Sequence, residues 1–164
     1  LQDNDIDRVR KLFARESKDF LQKYFKKELF FTDVEGKTKD EVLKNLCRKV
    51  EQEKGLPETF TASVLKREEL TPTDYGNLVA LPHPERAFQE RAFVAVAVLK
   101  EPIFWFRQKV QVVFLTAIGR EEDENLQQFY EATTDLILRP ADVQNLIRHP
   151  DYDRLIQLLR RAEE

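Results

Sequence analysis

The chain has 164 residues, of which 41% are hydrophobic and 35% are charged, so it is long enough to bury the core of one globular domain. Its net charge of -3, with acids and bases interspersed, gives no indication of direct nucleic-acid binding. The apolar runs are shorter than the roughly 18 residues that a membrane span requires, and no signal-peptide pattern opens the chain. The single cysteine, Cys47, cannot form an internal disulfide, and together these features suit a cytoplasmic protein.

Residues 5–27 have the apolar spacing of an amphipathic helix, with charged residues between the apolar ones. We therefore predict a linker helix over residues 1–28, followed by one domain over residues 29–164. This helix could lead from an upstream domain, pair with a second copy of the chain in a homodimer, or pack on its own domain. The sequence contains no methionine, even at position 1, and we interpret it as an excised piece of a longer protein.

Two helices are predicted in the first half of the domain. Thr38 followed by Glu41 fits a capping box, which favours a helix that ends at Gly55. Pro57 suits the first turn of the next helix, which is expected to run to about Glu69.

Four apolar segments predict the strands of a sheet: residues 30–31, 78–81, 92–99 and 110–117. The last two segments are rich in valine and do not alternate between apolar and polar residues, which is typical of strands covered on both faces. The aromatic segment at residues 102–106 lies between them. We expect it to dock as a separate edge segment, because no basic patch supports a base-stacking role.

Three helices are predicted after the last strand, beginning at Asn125, at Pro140 and after Asp151. The first of them is expected to turn four apolar side chains inward: Leu126, Phe129, Tyr130 and Leu136. The order of elements predicts an α/β fold, with a mixed β-sheet sandwiched between helices in three layers and an extra N-terminal helix.

The stretch from Leu70 to Pro84 places His83 between two prolines, at the end of a short apolar strand. Proline restricts its own φ and the conformation of the residue before it, so His83 is expected to be held in an extended backbone. An imidazole that is mostly neutral at pH 7 and held in one orientation suits a nucleophile. The alternative is a histidine in an ordinary surface loop, which the spacing alone does not exclude.

The remaining chemical groups do not form a familiar site. Two histidines and one cysteine without close spacing do not indicate a zinc site, so we expect no metal and no cofactor. Cys47 falls on the apolar face of its helix and is predicted to be a core residue. His149 precedes Pro150 at a helix end, where a helix cap explains it. The chain has no Gly-rich phosphate loop and no GxSxG elbow.

Residues 65–73 (LKREELTPT), followed by residues 76–83 (GNLVALPH), resemble the core of the mannitol/fructose-type enzyme IIA of the bacterial sugar phosphotransferase system. That family combines a helix ending in Arg-Glu-x-Leu-x-Pro-Thr, a glycine, a short apolar strand and Pro-His. The resemblance extends over residues 29–160 and includes the 102–105 segment and the helix start at residues 124–127. It implies the enzyme IIA mannitol-like form of the three-layer α/β/α fold.

The resemblance also implies roles for two residues. His83 would accept a phosphoryl group, expected on Nε2, from the phosphorylated carrier protein HPr. Arg67 would stabilise the transferred group, because a guanidinium offers a planar pair of donors to phosphate oxygens. The alternative for Arg67 is a solvated helix end.

Two departures from the family pattern change the expected function. Asn125 stands where transport enzymes of this family usually carry a second histidine. Asparagine can form a hydrogen bond to an imidazole or a phosphate oxygen, but it can neither take up a proton nor carry a charge. Pro84 replaces the usual glycine after the active histidine and removes one backbone N–H. Both departures put efficient onward transfer to a sugar-specific partner in doubt.

The pattern is similar to the enzyme IIA-like domain at the C-terminus of multidomain, sugar-responsive transcription regulators. We therefore expect a regulatory phosphoacceptor whose partners are phospho-HPr, enzyme IIB of the system and neighbouring domains of the same regulator. One alternative is a free-standing phosphocarrier subunit that passes phosphate to enzyme IIB. A second alternative is a structural interaction module that is never phosphorylated.

Overall fold

The computed structural model describes residues 5, 6, 8, 9 and 20–161. Within residues 20–161, the elements in chain order are α1 (Leu21–Tyr24), β1 (Phe25–Phe31), α2 (Lys39–Lys54), α3 (Thr59–Leu70), β2 (Asp74–Gly76), β3 (Val79–Ala80), β4 (Phe93–Phe104), β5 (Lys109–Ala117), α4 (Leu126–Ile137), α5 (Pro140–Arg148) and α6 (Tyr152–Arg161). In this part of the chain, no helix is both long and apolar enough to span a bilayer.

The five strands form one mixed sheet in the order β1-β4-β5-β3-β2. The central pair, β4 and β5, is antiparallel and forms a hairpin. Parallel pairs flank it, β1 with β4 on one side and β3 with β5 on the other, and β2 adds an antiparallel edge. The mixed sheet predicted from the order of elements is confirmed.

Both faces of the sheet are covered by helices. Val94, Val96 and Val98 point into a cluster that they share with α1, α4, α5 and α6. The intervening Ala95 and Ala97 point into a second cluster, shared with α2 and α3. This three-layer α/β/α arrangement is the predicted one, and it explains why β4 does not alternate between apolar and polar residues.

The capping signals predicted for α2 are present. The Thr38 side chain accepts a hydrogen bond from the Glu41 backbone N–H at 3.2 Å, and the Glu41 carboxylate accepts one from the Lys37 N–H at 2.8 Å. At the other end of the helix, Gly55 has a φ of +65°, a conformation that glycine adopts without steric cost.

The predicted N-terminal helix ends earlier than expected. Residues 5, 6, 8 and 9 are helical, and residues 21–24 form α1, but residues 25–27 belong to β1. The other residues of the predicted helix, 7 and 10–19, lie outside the described residues. The prediction was wrong for 25–27 because Phe25 continues the apolar spacing of Leu21 and Tyr24, whereas in the structure it pairs with Val94 of β4.

Two further predictions need correction, one of a strand and one of a buried side chain. The aromatic segment at 102–106 is not a separate edge segment, because β4 continues through Phe104 and pairs with β5 after a register shift. Tyr130 was expected to face inward but is 37% exposed. The buried stripe of α4 instead passes through Phe129, Thr133 and Leu136, and Tyr130 lies beside this stripe.

Candidate functional site

His83 lies just beyond the end of β3, on a short segment that is fixed from two sides. The Leu81 N–H donates to the Thr73 carbonyl at 3.0 Å, and the Thr116 N–H on β5 donates to the Pro82 carbonyl at 3.0 Å. Beyond the histidine, the Glu85 N–H donates to the Ser63 hydroxyl on α3 at 2.7 Å. The backbone on both sides of His83 is therefore held by hydrogen bonds.

The His83 ring is half-buried, and its Nδ1 lies 3.2 Å from the Leu81 carbonyl oxygen. A carbonyl oxygen only accepts hydrogen bonds, so this contact requires the proton on Nδ1. In the neutral ring, Nε2 then carries the lone pair. The local geometry thus selects the tautomer in which Nε2 is the nucleophilic atom.

Arg67 lies in the last turn of α3, and its Nη1 donates to the Thr71 carbonyl at 2.9 Å. It follows Ser63, the residue that holds the Glu85 N–H, by four positions and therefore lies on the same face of the helix. The loop after α3 also carries the Thr73 carbonyl that binds Leu81. Arg67 and the segment that carries His83 are thus both hydrogen-bonded to the loop of residues 71–73, Arg67 directly and His83 through Leu81.

Glu68, to which the sequence assigned no role, is the residue after Arg67 in α3. It is only 2% exposed, and its two carboxylate oxygens accept three hydrogen bonds. The donors are the Thr73 N–H at 2.9 Å, the Thr73 hydroxyl at 2.8 Å and the Trp105 indole N–H at 2.6 Å. A signal was available, because Glu68 continues the buried stripe of Phe60 and Val64 at steps of four residues.

Asn125 immediately precedes α4, and its backbone N–H donates to Asp123 Oδ1 at 2.9 Å. The other oxygen of that carboxylate, Oδ2, accepts a hydrogen bond from the Tyr24 hydroxyl. The Tyr24 ring stacks on Phe129 with a centroid distance of 4.7 Å. Burial, reinforced by the hydrogen bond to Asp123, raises the pKa of Tyr24 well above its usual value.

Asn125 borders a surface cleft of about 620 Å³ whose walls include residues 23–24, 90–93 and 121–125, and His83 does not line it. The cleft nevertheless lies at the end of the sheet where strands β3 and β5 finish. Phe93, the first residue of β4, lines the cleft and pairs with Ala117, the last residue of β5. The structure therefore places Asn125 at the same end of the strands as His83, against a cleft that His83 does not line.

The remaining candidates have structural explanations. Cys47 is fully buried, as predicted, and this burial raises the pKa of its thiol to about 12, which disfavours the reactive thiolate. The His149 N–H donates to the Asn145 carbonyl at 2.9 Å and caps α5. Among the residues that the structure describes, no group of three His, Cys, Asp or Glu side chains could hold a metal ion.

Comparison with known proteins gives matches over most of the chain. The family model described as "Phosphoenolpyruvate-dependent sugar phosphotransferase system, EIIA 2" matches residues 23–162. A probable licABCH operon regulator of Bacillus subtilis (strain 168) is 34% identical over 151 residues, which are 92% of this chain and 23% of that protein. The transcriptional regulator ManR of the same organism is 27% identical over 120 residues, 73% of this chain and 18% of that protein. The chain thus spans less than a quarter of the length of either relative.

The fold is also found among solved structures. The Escherichia coli complex of enzyme IIA-Mtl with phosphorylated enzyme IIB-Mtl contains a chain that matches with a TM-score of 0.67 at 18% identity. The match covers 82% of this chain and 97% of that one. At this level of identity, the likeness establishes the fold, which is the mannitol-like enzyme IIA fold that the sequence predicted.

Proposed function

Because the chain belongs to the EIIA 2 family of the phosphoenolpyruvate-dependent sugar phosphotransferase system, we propose that His83 accepts a phosphoryl group from phospho-HPr on Nε2. The observation that carries this proposal is the contact between His83 Nδ1 and the Leu81 carbonyl, which leaves the Nε2 lone pair available. In the transfer, the Nε2–P bond forms as the N–P bond of the donor histidine breaks. The imidazole gains positive charge, and the Leu81 carbonyl stabilises the proton on Nδ1.

Arg67 is proposed to stabilise the phosphoryl oxygens during transfer. Its bond to the Thr71 carbonyl uses one of the five N–H donors of the guanidinium, and within the described part of the chain the others have no partner and could bind two phosphoryl oxygens at once. The shared attachment of Arg67 and His83 to the loop of residues 71–73 supports this role. Asn125 is proposed to donate a hydrogen bond from its amide to the phosphohistidine, without taking part in proton transfer.

We further propose that the phosphohistidine is a regulatory signal within a longer, cytoplasmic transcription regulator of sugar-utilisation genes. The similarity to the licABCH operon regulator and to ManR supports this, as does Asn125 at the position of the second histidine of transport enzymes. Phosphorylation adds roughly -1.5 to -2 charges, enough to change how the domain docks on its neighbours. The predicted N-terminal helix, which ends before β1 begins at Phe25, would connect the domain to them or to a second copy.

A free-standing phosphocarrier that delivers phosphate to enzyme IIB is the second candidate function. The solved complex of an enzyme IIA with phosphorylated enzyme IIB shows that another chain of this fold has such a partner. The two functions differ in turnover. A carrier would lose its phosphoryl group rapidly when enzyme IIB is added, whereas a regulatory domain would keep it.

The proposal is tested by incubating the chain with phosphoenolpyruvate, enzyme I and HPr and measuring its intact mass. We expect one added phosphoryl group on the wild-type protein and on His149→Ala, and none on His83→Ala. Label on His83→Ala would move the acceptor to another residue. A wild-type protein that takes up no label would instead support the structural interaction module.

A further inference from the structure

Glu68 is a buried carboxylate in α3, next to Arg67 in the chain. Burying such a group is costly unless its oxygens are hydrogen-bonded, and the Glu68 oxygens accept from three donors. Two of these donors belong to one residue, Thr73, which Glu68 therefore holds by both its backbone N–H and its hydroxyl. The position and orientation of Thr73 thus depend on Glu68.

Thr73 in turn fixes the segment that carries the phosphoacceptor. Its carbonyl accepts the Leu81 N–H at 3.0 Å, and the Leu81 carbonyl contacts His83 Nδ1 at 3.2 Å. A continuous series of contacts therefore runs from Glu68 through Thr73 and Leu81 to the imidazole. The same loop provides the Thr71 carbonyl that holds the Arg67 guanidinium.

The third donor ties this series to a distant part of the chain. Trp105, in the turn between β4 and β5, is 4% exposed and donates its indole N–H to Glu68. The same turn is bound from its other side by Asp74, the residue after Thr73, whose carboxylate accepts the N–H groups of Arg107 and Gln108 at 2.9 and 3.1 Å. The turn thus holds Glu68 in the position from which it binds Thr73.

We propose that Glu68 is a positioning residue of the phosphoacceptor site. By fixing Thr73, it sets the Leu81 carbonyl and through it the tautomer and orientation of the His83 ring. This inference rests on the proposed function of His83. The role requires two acceptor oxygens or their equivalent, and it does not require that Glu68 touch the phosphoryl group.

Three variants separate this role from general destabilisation. Glu68→Met keeps the length of the side chain but removes both acceptors. Glu68→Gln keeps the group that positions Thr73, because its amide oxygen can accept from the Thr73 N–H and Trp105 while its NH₂ donates to the Thr73 hydroxyl. Glu69→Met is the matched control, because Glu69 is the next residue of α3 and is exposed.

The first measurement is the rate of labelling by phospho-HPr, followed by intact mass. We expect Glu68→Met to be slowed about tenfold, because a small misplacement of a reacting group is costly. Glu68→Gln is expected to stay within about threefold of the wild type and Glu69→Met to match it, since both preserve the contacts to Thr73. Equal rates for Glu68→Met and the wild type would overturn the proposal.

The second measurement is the tautomer of His83, read from its ring ¹⁵N shifts without any phosphorylation. We expect the Nδ1–H form in the wild type and in Glu68→Gln, and a mixture of tautomers in Glu68→Met. A folded Glu68→Met with the wild-type tautomer would overturn the proposal even if its melting temperature falls. If the wild type takes up no phosphate, the proposed function of His83 fails. Whether Glu68 positions the His83 ring is then decided by the tautomer measurement alone, because that measurement needs no phosphorylation.

If Glu68→Met does not fold, Trp105→Phe carries the same test. It removes one donor to Glu68 and leaves the carboxylate in place. We then expect a smaller loss of labelling rate, about threefold, together with partial loss of the single His83 tautomer. A folded Trp105→Phe protein with wild-type rate and tautomer would contradict the proposal.

Discussion

The segments that carry His83 and Asn125 lie at the same end of the sheet's strands but are held in place in different ways. The His83 segment is fixed by backbone hydrogen bonds, from Leu81 to Thr73 and from Thr116 to Pro82. The Asn125 segment also has backbone hydrogen bonds, such as that from the Phe129 N–H to the Asn125 carbonyl at 3.0 Å, but it relies in addition on the Asp123 carboxylate, which binds the Asn125 N–H with one oxygen and the Tyr24 hydroxyl with the other. Backbone hydrogen bonds survive most substitutions, whereas the contacts made by the Asp123 carboxylate depend on the side chains of Asp123 and Tyr24.

The two segments differ in how precisely they must hold their side chains. A nucleophile must keep its lone pair aimed at the incoming phosphorus, so a rigid backbone suits His83. A residue that only adds a hydrogen bond tolerates more variation in position. We therefore expect substitutions near His83 to change the rate of phosphorylation, and substitutions around Asn125 to change mainly the stability.

Arg67→Ala should have the largest effect of the three substitutions that test this comparison. We expect labelling of His83 to slow at least about tenfold, since the loss of an electrostatic donor to the transition state costs some 2–4 kcal/mol in comparable sites. The exposed neighbour Lys66 provides the control, and Lys66→Ala should label like the wild type. Unchanged labelling kinetics in a folded Arg67→Ala protein would refute the role of Arg67.

Asn125→Ala should have an intermediate effect. The variant loses one amide donor but keeps the backbone N–H that binds Asp123, so we expect labelling to slow only about threefold, as for the loss of one neutral hydrogen bond. Gln128→Ala, on an exposed position of α4, is the matched control. A loss as large as that of Arg67→Ala would show that the two segments do not differ in the way described.

Tyr24→Phe should have the smallest effect on labelling, within about twofold, and a measurable effect on stability. It leaves Asp123 Oδ2 without its donor, which should lower the free energy of unfolding by about 1 kcal/mol. Tyr75→Phe, at an exposed tyrosine, is the control. Chemical denaturation of both variants at pH 7 provides the comparison.

The same variant has a predicted pH dependence. Because burial and Asp123 raise the pKa of Tyr24 in the folded protein, its contribution to stability is present below the unfolded pKa of about 10 and declines as the pH rises above it. The stability difference between wild type and Tyr24→Phe should therefore shrink above pH 10. A difference that grows with pH would contradict the assignment.

Most of the elements that carry Arg67 and His83 could be predicted from the sequence, because they are close together in the chain. The helix that ends after Arg67, the turn-rich loop, the short strand and the Pro-His pair follow one another within about twenty residues, and each has a signal of its own. The family resemblance read from these residues is confirmed. The roles of His83, Arg67 and Asn125 remain predictions.

The contacts that support the site were not predictable in the same way. Trp105 reaches Glu68 across 37 positions and Tyr24 reaches Asp123 across 99, so no local pattern links the partners. Phe25 was assigned to a helix because its spacing from Leu21 and Tyr24 fits a helix, although Phe25 can equally begin a strand. Tertiary pairing, which a single sequence does not display, decided between the two.

The most direct test of the central claim is ¹⁵N and ³¹P NMR of the chain after phosphorylation by phospho-HPr, with the ring nitrogens of histidine labelled. We predict N–P coupling at Nε2 of His83, with the proton retained on Nδ1 near neutral pH. Coupling at Nδ1 of His83, or at His149, would contradict the claim that the Leu81 carbonyl selects the nucleophilic atom.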